Sequence, residues 1–277
     1  MNYHEPATVD EAIDLLSSDP DSRCLAGGAT LIAMMNAELV DPATLVNLRG
    51  VAELAGIDSN GDRIRIGAMT THSAVAAYPS DRGPMSVVTQ AASQIAHKAI
   101  RDQGTIGGSI AHGDPNADFP TALTAANARI EVAGTDGRRE IMADEFFLDY
   151  LETAIQPGEL VTAIIVPTSP EDARGRYLKI SRVDGDFATV SVAVLLSFTG
   201  KTCDDIRIAI GSCGPKPIRL ESAEQALTGT ALDAKAVAAA GALLADAADP
   251  IDDVRGSSEY RLLLIPRLLQ QTIEALR

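Results

Sequence analysis

Two glycine-rich segments restrict what this chain can fold into more than any other feature. The first, Leu25-Ala26-Gly27-Gly28-Ala29-Thr30-Leu31, joins the short apolar stretch Cys24 to Ala26 to a helical stretch, Leu31 to Leu39. Free amides and the helix dipole at such a junction can together hold a phosphate, although glycine pairs between strand and helix also serve as plain tight turns. The second, Gln103-Gly104-Thr105-Ile106-Gly107-Gly108-Ser109, again concentrates glycine and adds two hydroxyls, and His112-Gly113-Asp114-Pro115-Asn116-Ala117-Asp118 follows it. Two such loops can face one diphosphate. Neither has the GxGxxG spacing at the head of a simple βαβ unit, and no acidic residue stands at the usual ribose-binding distance, which disfavours a Rossmann site. A Walker-type GxxxxGK(S/T) loop is also missing.

Charge narrows the choice further. The 277 residues carry a formal net charge of −15, so the general surface repels phosphate polymers, and no basic stripe offsets this; nucleic acid is a poor partner, and none is expected. A diphosphate must then be held locally, by backbone N–H groups. The longest apolar run, Ala188 to Phe198, is interrupted by Thr189, Ser191 and Ser197 and falls short of the roughly 20 residues a membrane span needs. The start, Met1-Asn2-Tyr3-His4-Glu5-Pro6, lacks a secretion signal, and a cytoplasmic protein is expected. Cys24, Cys203 and Cys213 are scattered, against a disulfide framework, a zinc site or an iron–sulfur cluster in this chain. His4, His72, His97 and His112 show no metal-ligand spacing, and Ser109, His112 and Asp114 lack a GxSxG nucleophile elbow.

Periodicity divides the chain. Val9 to Leu16 and Leu31 to Leu39 read as helices around strands at Cys24 to Ala26 and Thr44 to Leu48, a small α/β unit. Asn60-Gly61-Asp62 and Thr135-Asp136-Gly137 are hairpin turns, the latter within Ala128 to Met142. Thr71 to Ala77, Met85 to Ala99 and Asn116 to Asn127 have helical spacing, and Leu160 to Val166 reads as a strand. Pro167 to Gly175 reads as a linker. Three β-rich runs follow, Arg176 to Val183, Ala188 to Phe198 and Asp205 to Ser212, then helices at Glu221 to Leu227, Leu232 to Ala248 and Ser257 to Leu276. The expected units are 1–55, 56–172 and 173–277.

The order of Ala26 to Leu31, Ile66-Gly67-Ala68-Met69-Thr70-Thr71, Arg101 to Ser109, Asp114 to Asp118, Gly158-Glu159-Leu160-Val161 and Tyr177-Leu178-Lys179-Ile180-Ser181-Arg182 resembles the FAD-binding medium subunit of carbon monoxide dehydrogenase-like and xanthine dehydrogenase-like molybdenum hydroxylases. The resemblance implies an α+β fold: a two-subdomain α/β FAD-binding part of the PCMH/vanillyl-alcohol-oxidase type, closed by a C-terminal α+β domain. It implies that Leu25, Ala26, Gly27, Gly28, Ala29, Thr30 and Leu31 wrap the FAD diphosphate, and that Thr105, Ile106, Gly107, Gly108 and Ser109 approach from the other side. Asp118 is implied as an acceptor for ribose or ribityl hydroxyls, or else as a helix N-terminal charge; Val161 lines the cleft, or is plain core. Lys179 is implied to face the flavin, the alternative being a solvent-facing lysine. Phe187 falls where some relatives place a tyrosine near the flavin, and plain core is equally open to it. Ala29 and Thr30 depart from the Thr-Asp or His-Ser of many relatives, so one side-chain contact is lost there.

By the same resemblance this chain carries only FAD and acts as an oxidoreductase component. The molybdenum cofactor and 2Fe-2S clusters are expected on a large and a small partner subunit, joined with it as a dimer of heterotrimers. Electrons then pass from the clusters through FAD to a terminal acceptor, and no catalytic acid or base is needed here. A free-standing flavin oxidoreductase of the same fold and a flavin-less scaffold subunit are the alternatives.

Overall fold

The computed structural model describes residues 1–170 and 172–277. The chain begins with β1 (Asn2–His4), α1 (Val9–Ser18), β2 (Ser22–Leu25), α2 (Leu31–Asn36) and β3 (Thr44–Asn47), whose strands form a parallel sheet in the order β1-β3-β2. Helix α1 starts where Thr8 accepts from the Glu11 amide while the Glu11 carboxylate accepts from the Ala7 amide, reciprocal capping that satisfies two donors at once. Its Val9, Ala12, Ile13 and Leu16 recur at three- and four-residue spacing and pack with Val46 and Leu48.

The middle of the chain supplies β4 (Ile57–Asn60), β5 (Arg63–Gly67), α3 (His72–Ala76), α4 (Gly83–Gln94), α5 (Lys98–Arg101), α6 (Ile106–His112), α7 (Asp118–Ala125), β6 (Arg129–Gly134), β7 (Gly137–Met142), α8 (Ala143–Phe146), β8 (Phe147–Asp149), β9 (Glu152–Thr153) and β10 (Leu160–Pro167). Five of these strands make an antiparallel sheet, β4-β5-β10-β6-β7. Strand β10 is central and covered on both faces, which is why Leu160 to Val166 reads as an apolar run broken only by Thr162 rather than an alternating one. Leu160 packs with the α1 core, whereas Val161, Ile164 and Val166 join Ile106, Phe119 and Leu123 of the helical layer.

The last part comprises β11 (Arg174–Ile180), β12 (Val190–Thr199), β13 (Thr202–Gly211), β14 (Ile218–Arg219), α9 (Glu221–Gln225), α10 (Ala234–Asp246) and α11 (Ser258–Glu274), with an antiparallel sheet in that strand order. Along β12, Val190, Val192, Val194 and Leu196 face α10 and α11. The intervening Ala193 and Leu195 face Val87 and Ala91 of α4 and Ala122 and Ala125 of α7. Thus α4 and α7 form a layer shared by the second and third sheets. Small residues let this layer close up: a Cβ at Gly211 would overlap the Thr121 hydroxyl, and one at Gly175 would overlap that of Ser86. At the far end Arg261, 2% exposed, donates to the carbonyls of Thr189 (2.7 Å) and Ser212 (2.8 Å) and pairs with Asp253 at 2.5 Å, tying α11 to β12 and β13.

The mixed α+β fold expected from the sequence is present, with local differences. The helix expected over Met85 to Ala99 stops at Gln94, because Ala96 turns to φ 43° and Arg101 donates to the carbonyls of Ile95 (2.8 Å) and Ala96 (2.6 Å). The second glycine segment is itself the first turn of a helix, α6, rather than an open loop. Neither the β8–β9 hairpin nor β14 is anticipated, each being too short to show periodicity. Of the Pro167 to Gly175 segment read as a linker, Glu171 lies outside the described residues; β11 already starts at Arg174.

Replacing Gly211 by Ala should destabilise the protein by about 2 kcal/mol through overpacking, seen as a lower unfolding midpoint in denaturant. Adding Thr121→Ala, which removes the colliding hydroxyl, should recover part of that loss.

Candidate functional site

The first glycine segment leaves β2 and enters α2. None of the five amides from Gly27 to Leu31 donates to an acceptor among the described residues, and the Thr30 side chain makes no cap. The first bond of this turn is Ile32 N–H to Gly28 O, at 3.1 Å. Gly28 reverses the chain at φ 76°, a value side-chain-bearing residues rarely adopt. Such a run of unpaired donors is a ready anion site.

The second segment has the opposite character. The amides of Ile106 and Gly107 donate to the carbonyls of Thr70 (3.0 Å) and Ala68 (2.9 Å), that of Gly108 to the Thr105 hydroxyl (3.2 Å), and that of Ser109 to Thr105 O (3.0 Å). Its donors are therefore engaged within the chain. Gly107 is needed because a Cβ there would sit 2.5 Å from that of Ala68. This segment is instead a wall for the first: a Cβ at Gly27 would collide with the Gln103 carbonyl and would lie 2.9 Å from Gly104 Cα, and the Cβ of Ala26 is 3.6 Å from where one would stand on Gly108. The structure thus brings Ala26, Gly27 and Gly28 against Gln103, Gly104 and Gly108.

Below this contact lies His72, 5% exposed, whose ring sits tilted against Phe119 with centroids 5.3 Å apart and whose Nε2 limits Gly104 to glycine. Its Nδ1 has no hydrogen-bond partner among the described residues. Burial, with the nearby Arg101 guanidinium, lowers its pKa to about 4, so it is neutral at physiological pH.

Asp118 and Lys179, far apart in sequence, form one buried pair. Lys179 Nζ lies 2.9 Å from Asp118 Oδ1 and 3.1 Å from Oδ2, with both side chains no more than 5% exposed, and it also donates to Gln94 O at 3.0 Å. The Tyr177 hydroxyl donates to Asp118 Oδ1 at 2.6 Å. Burial pushes the Asp118 carboxyl up, and the Lys179 ammonium and Tyr177 hydroxyl oppose that rise. Helix and strand explain the arrangement: Asp118 opens α7, and Tyr177 and Lys179 alternate onto the α4–α7 face of β11 while Leu178 and Ile180 take the other. A solvent-facing Lys179 is excluded, and the carboxylate has a charged partner that the sequence reading does not give it.

Val161 is 5% exposed in the core that holds Ile106 and Ala68. Phe187 is 42% exposed with the Arg255 guanidinium 5.1 Å over its ring, so it is not core. Cys203 and Cys213 are buried, and burial pushes the Cys213 thiol up to about 12, leaving it inert. Sequence reasoning misses Tyr177, Arg101 and His72. All three lie inside the quoted motifs or next to one, but spacing alone assigns them no chemistry. No helix among the described residues is long and apolar enough to cross a membrane.

Known proteins share this fold. Residues 1–169 match the FAD binding domain in molybdopterin dehydrogenase, and residues 176–276 the CO dehydrogenase flavoprotein C-terminal domain. The chain thus belongs to the FAD-binding medium subunits of molybdenum hydroxylases; it is an oxidoreductase component whose cofactor is FAD. It is 36% identical over 273 residues to the nicotine 6-hydroxylase medium subunit of Paenarthrobacter nicotinovorans, spanning 99% of this chain and 96% of that one. It is also 36% identical over 275 residues to the carbon monoxide dehydrogenase medium chain of Afipia carboxidovorans, spanning 99% and 96%. A crystal structure of cyanide-inactivated Cu,Mo-CO dehydrogenase superposes with a TM-score of 0.96 at 36% identity, covering 100% of this chain and 97% of that one.

The His72 environment predicts an acid limit. An unfolded histidine binds its proton near pH 6.5 and this one only near pH 4, so the unfolded state gains protons first and stability falls as pH drops from about 6.5 towards 4. The full effect is about 3 kcal/mol at the lower end. Denaturant titrations across that range should show the loss, and His72→Gln should flatten it.

Proposed function

We propose that this chain is the electron outlet of a heteromeric molybdenum hydroxylase, receiving electrons from 2Fe-2S clusters on a small partner subunit and delivering them through FAD to a terminal acceptor. The molybdenum cofactor belongs to a large partner subunit, and the assembly is a dimer of heterotrimers. One observation carries the cofactor side of this reading: five consecutive amides, Gly27 to Leu31, donate to no acceptor among the described residues, in a segment braced by a second glycine segment. A chain with a net charge of −15 needs such a local donor array to hold a diphosphate at all.

In this reading Leu25 to Leu31 supply the donors and Thr105 to Ser109 supply the wall, its glycines keeping that wall flat. Asp118 and Lys179 sit at the flavin end, and Val161 backs the cleft from β10. The three sheets correspond to units 1–55, 56–172 and 173–277, the last closing over the cofactor through the shared α4–α7 layer. FAD, when bound, supplies the capacity to take up and release electrons. The residues around it bind, orient and exclude water, and Lys179 holds positive charge where a reduced flavin pyrimidine edge would carry negative charge. The relatives named as hydroxylase and dehydrogenase medium subunits support this division of labour.

The purified chain should show flavin absorbance and release FAD, not FMN, on denaturation; a colourless chain that cannot be reconstituted would overturn the reading. Gly27→Val, which drives the two segments apart, should weaken FAD binding by more than tenfold. Gly61→Ala, in a turn where a Cβ would meet none of the described residues beyond its chain neighbours within 4 Å, should leave binding unchanged. Purification from the native cell should bring down two further polypeptides, one with 2Fe-2S clusters and one with molybdenum.

A further inference from the structure

The function proposed above leaves Tyr177 without a role, although it is among the largest fully buried side chains. Its ring packs with Val87, Ala91 and Ala122 in the layer between α4, α7 and the third sheet. Its hydroxyl points at the head of α7, donating to Asp118 Oδ1 at 2.6 Å, the same oxygen that lies 2.9 Å from Lys179 Nζ. Ser191, bonded to Thr121 across 3.1 Å, stands beside that hydroxyl. The backbone is fixed as firmly as the side chain: the Gln90 side chain accepts from the Tyr177 amide at 3.1 Å and donates to Gly175 O at 3.0 Å. Tyr177 and Lys179 are thus placed by one strand whose position along α4 is set two residues at a time.

We propose that Tyr177 is a positioning residue for Lys179: by holding one oxygen of Asp118 it orients the carboxylate and draws off part of its charge, so that the ammonium keeps positive charge to offer the flavin. This rests on reading Lys179 as the flavin-facing cation. The physical cause is competition for one buried anion. A carboxylate shut off from water has only its protein donors, and a hydrogen bond to a charged group is worth more than a neutral one. Without the hydroxyl, the full carboxylate charge falls on Lys179, which is then neutralised by its own partner. The carboxylate also becomes free to rotate, and the ammonium, still tethered to Gln94 O, follows it.

The test is a reductive titration of the FAD-loaded full chain against a reference redox dye, read as the ratio of reduced to oxidised flavin at a fixed dye ratio. Tyr177→Phe, which keeps the ring, should lower that ratio on the order of tenfold, and Lys179→Gln should lower it at least as far. In an Asp118→Asn background Tyr177→Phe should have no further effect, a dependence that a purely structural role for the ring would not show. An equal shift in both backgrounds, or none in the wild-type background while Lys179→Gln shifts, would overturn the role of Tyr177. No shift in Lys179→Gln would instead overturn the placement of Lys179 at the flavin. Should Tyr177→Phe fail to fold, 3-fluorotyrosine inserted at position 177 keeps the shape and makes the hydroxyl a stronger donor. It should raise the ratio, and an unchanged or lowered ratio would count against the proposal.

Discussion

Close approaches that only a residue without a Cβ permits are the constraint on which the rest of this structure depends. Gly27 lies against the Gln103 carbonyl, Gly107 against Ala68, and Gly211 against the Thr121 hydroxyl. Each contact joins parts of the chain that are distant in sequence, and each vanishes if one methyl group is added. Interiors pack at near-crystalline density, so these approaches cannot be relieved by small shifts nearby. The first two brace the glycine segments, and the third sets the distance at which the C-terminal sheet rides on the α4–α7 layer.

That layer links the glycine segments to the buried polar cluster. Helix α4 ends where Arg101 captures the carbonyls of Ile95 and Ala96, and the turn so formed leads into the second glycine segment. The same helix offers Gln94 O to Lys179 and the Gln90 side chain to β11. Helix α7 begins with Asp118 and then buries Thr121, Ala122 and Ala125, so the carboxylate is held at a helix N-terminus, where negative charge is favoured. A buried ion pair is not by itself a gain in stability, since desolvation of both charges offsets their attraction. Its retention here is better understood as placement of charge than as cement.

Much of this was legible beforehand where a pattern repeats. The amphipathic α1, the hairpins at Gly61 and Gly137 and the long strands β12 and β13 all follow from periodicity and turn chemistry, which act over a few residues. The motifs also pointed to both glycine segments, yet not to their different roles. Whether an amide is free or bonded depends on what folds back against it, and the carbonyls of Ala68 and Thr70 that occupy Gly107 and Ile106 come from elsewhere in the chain. The Asp118–Lys179–Tyr177 cluster was illegible as a unit for the same reason. Strand alternation says that residues 177 and 179 share a face, but only the docking of the third sheet on the α4–α7 layer shows that the face meets a carboxylate.

The Gln90 side chain has a consequence for assembly. Strand β11 is the outermost strand of the third sheet, and an outer strand with free backbone groups invites another chain to pair with it. Gln90 occupies the Gly175 carbonyl and the Tyr177 amide on that border, and α4 covers the line they define. A strand from a neighbouring subunit therefore cannot pair with those two groups while Gln90 holds them.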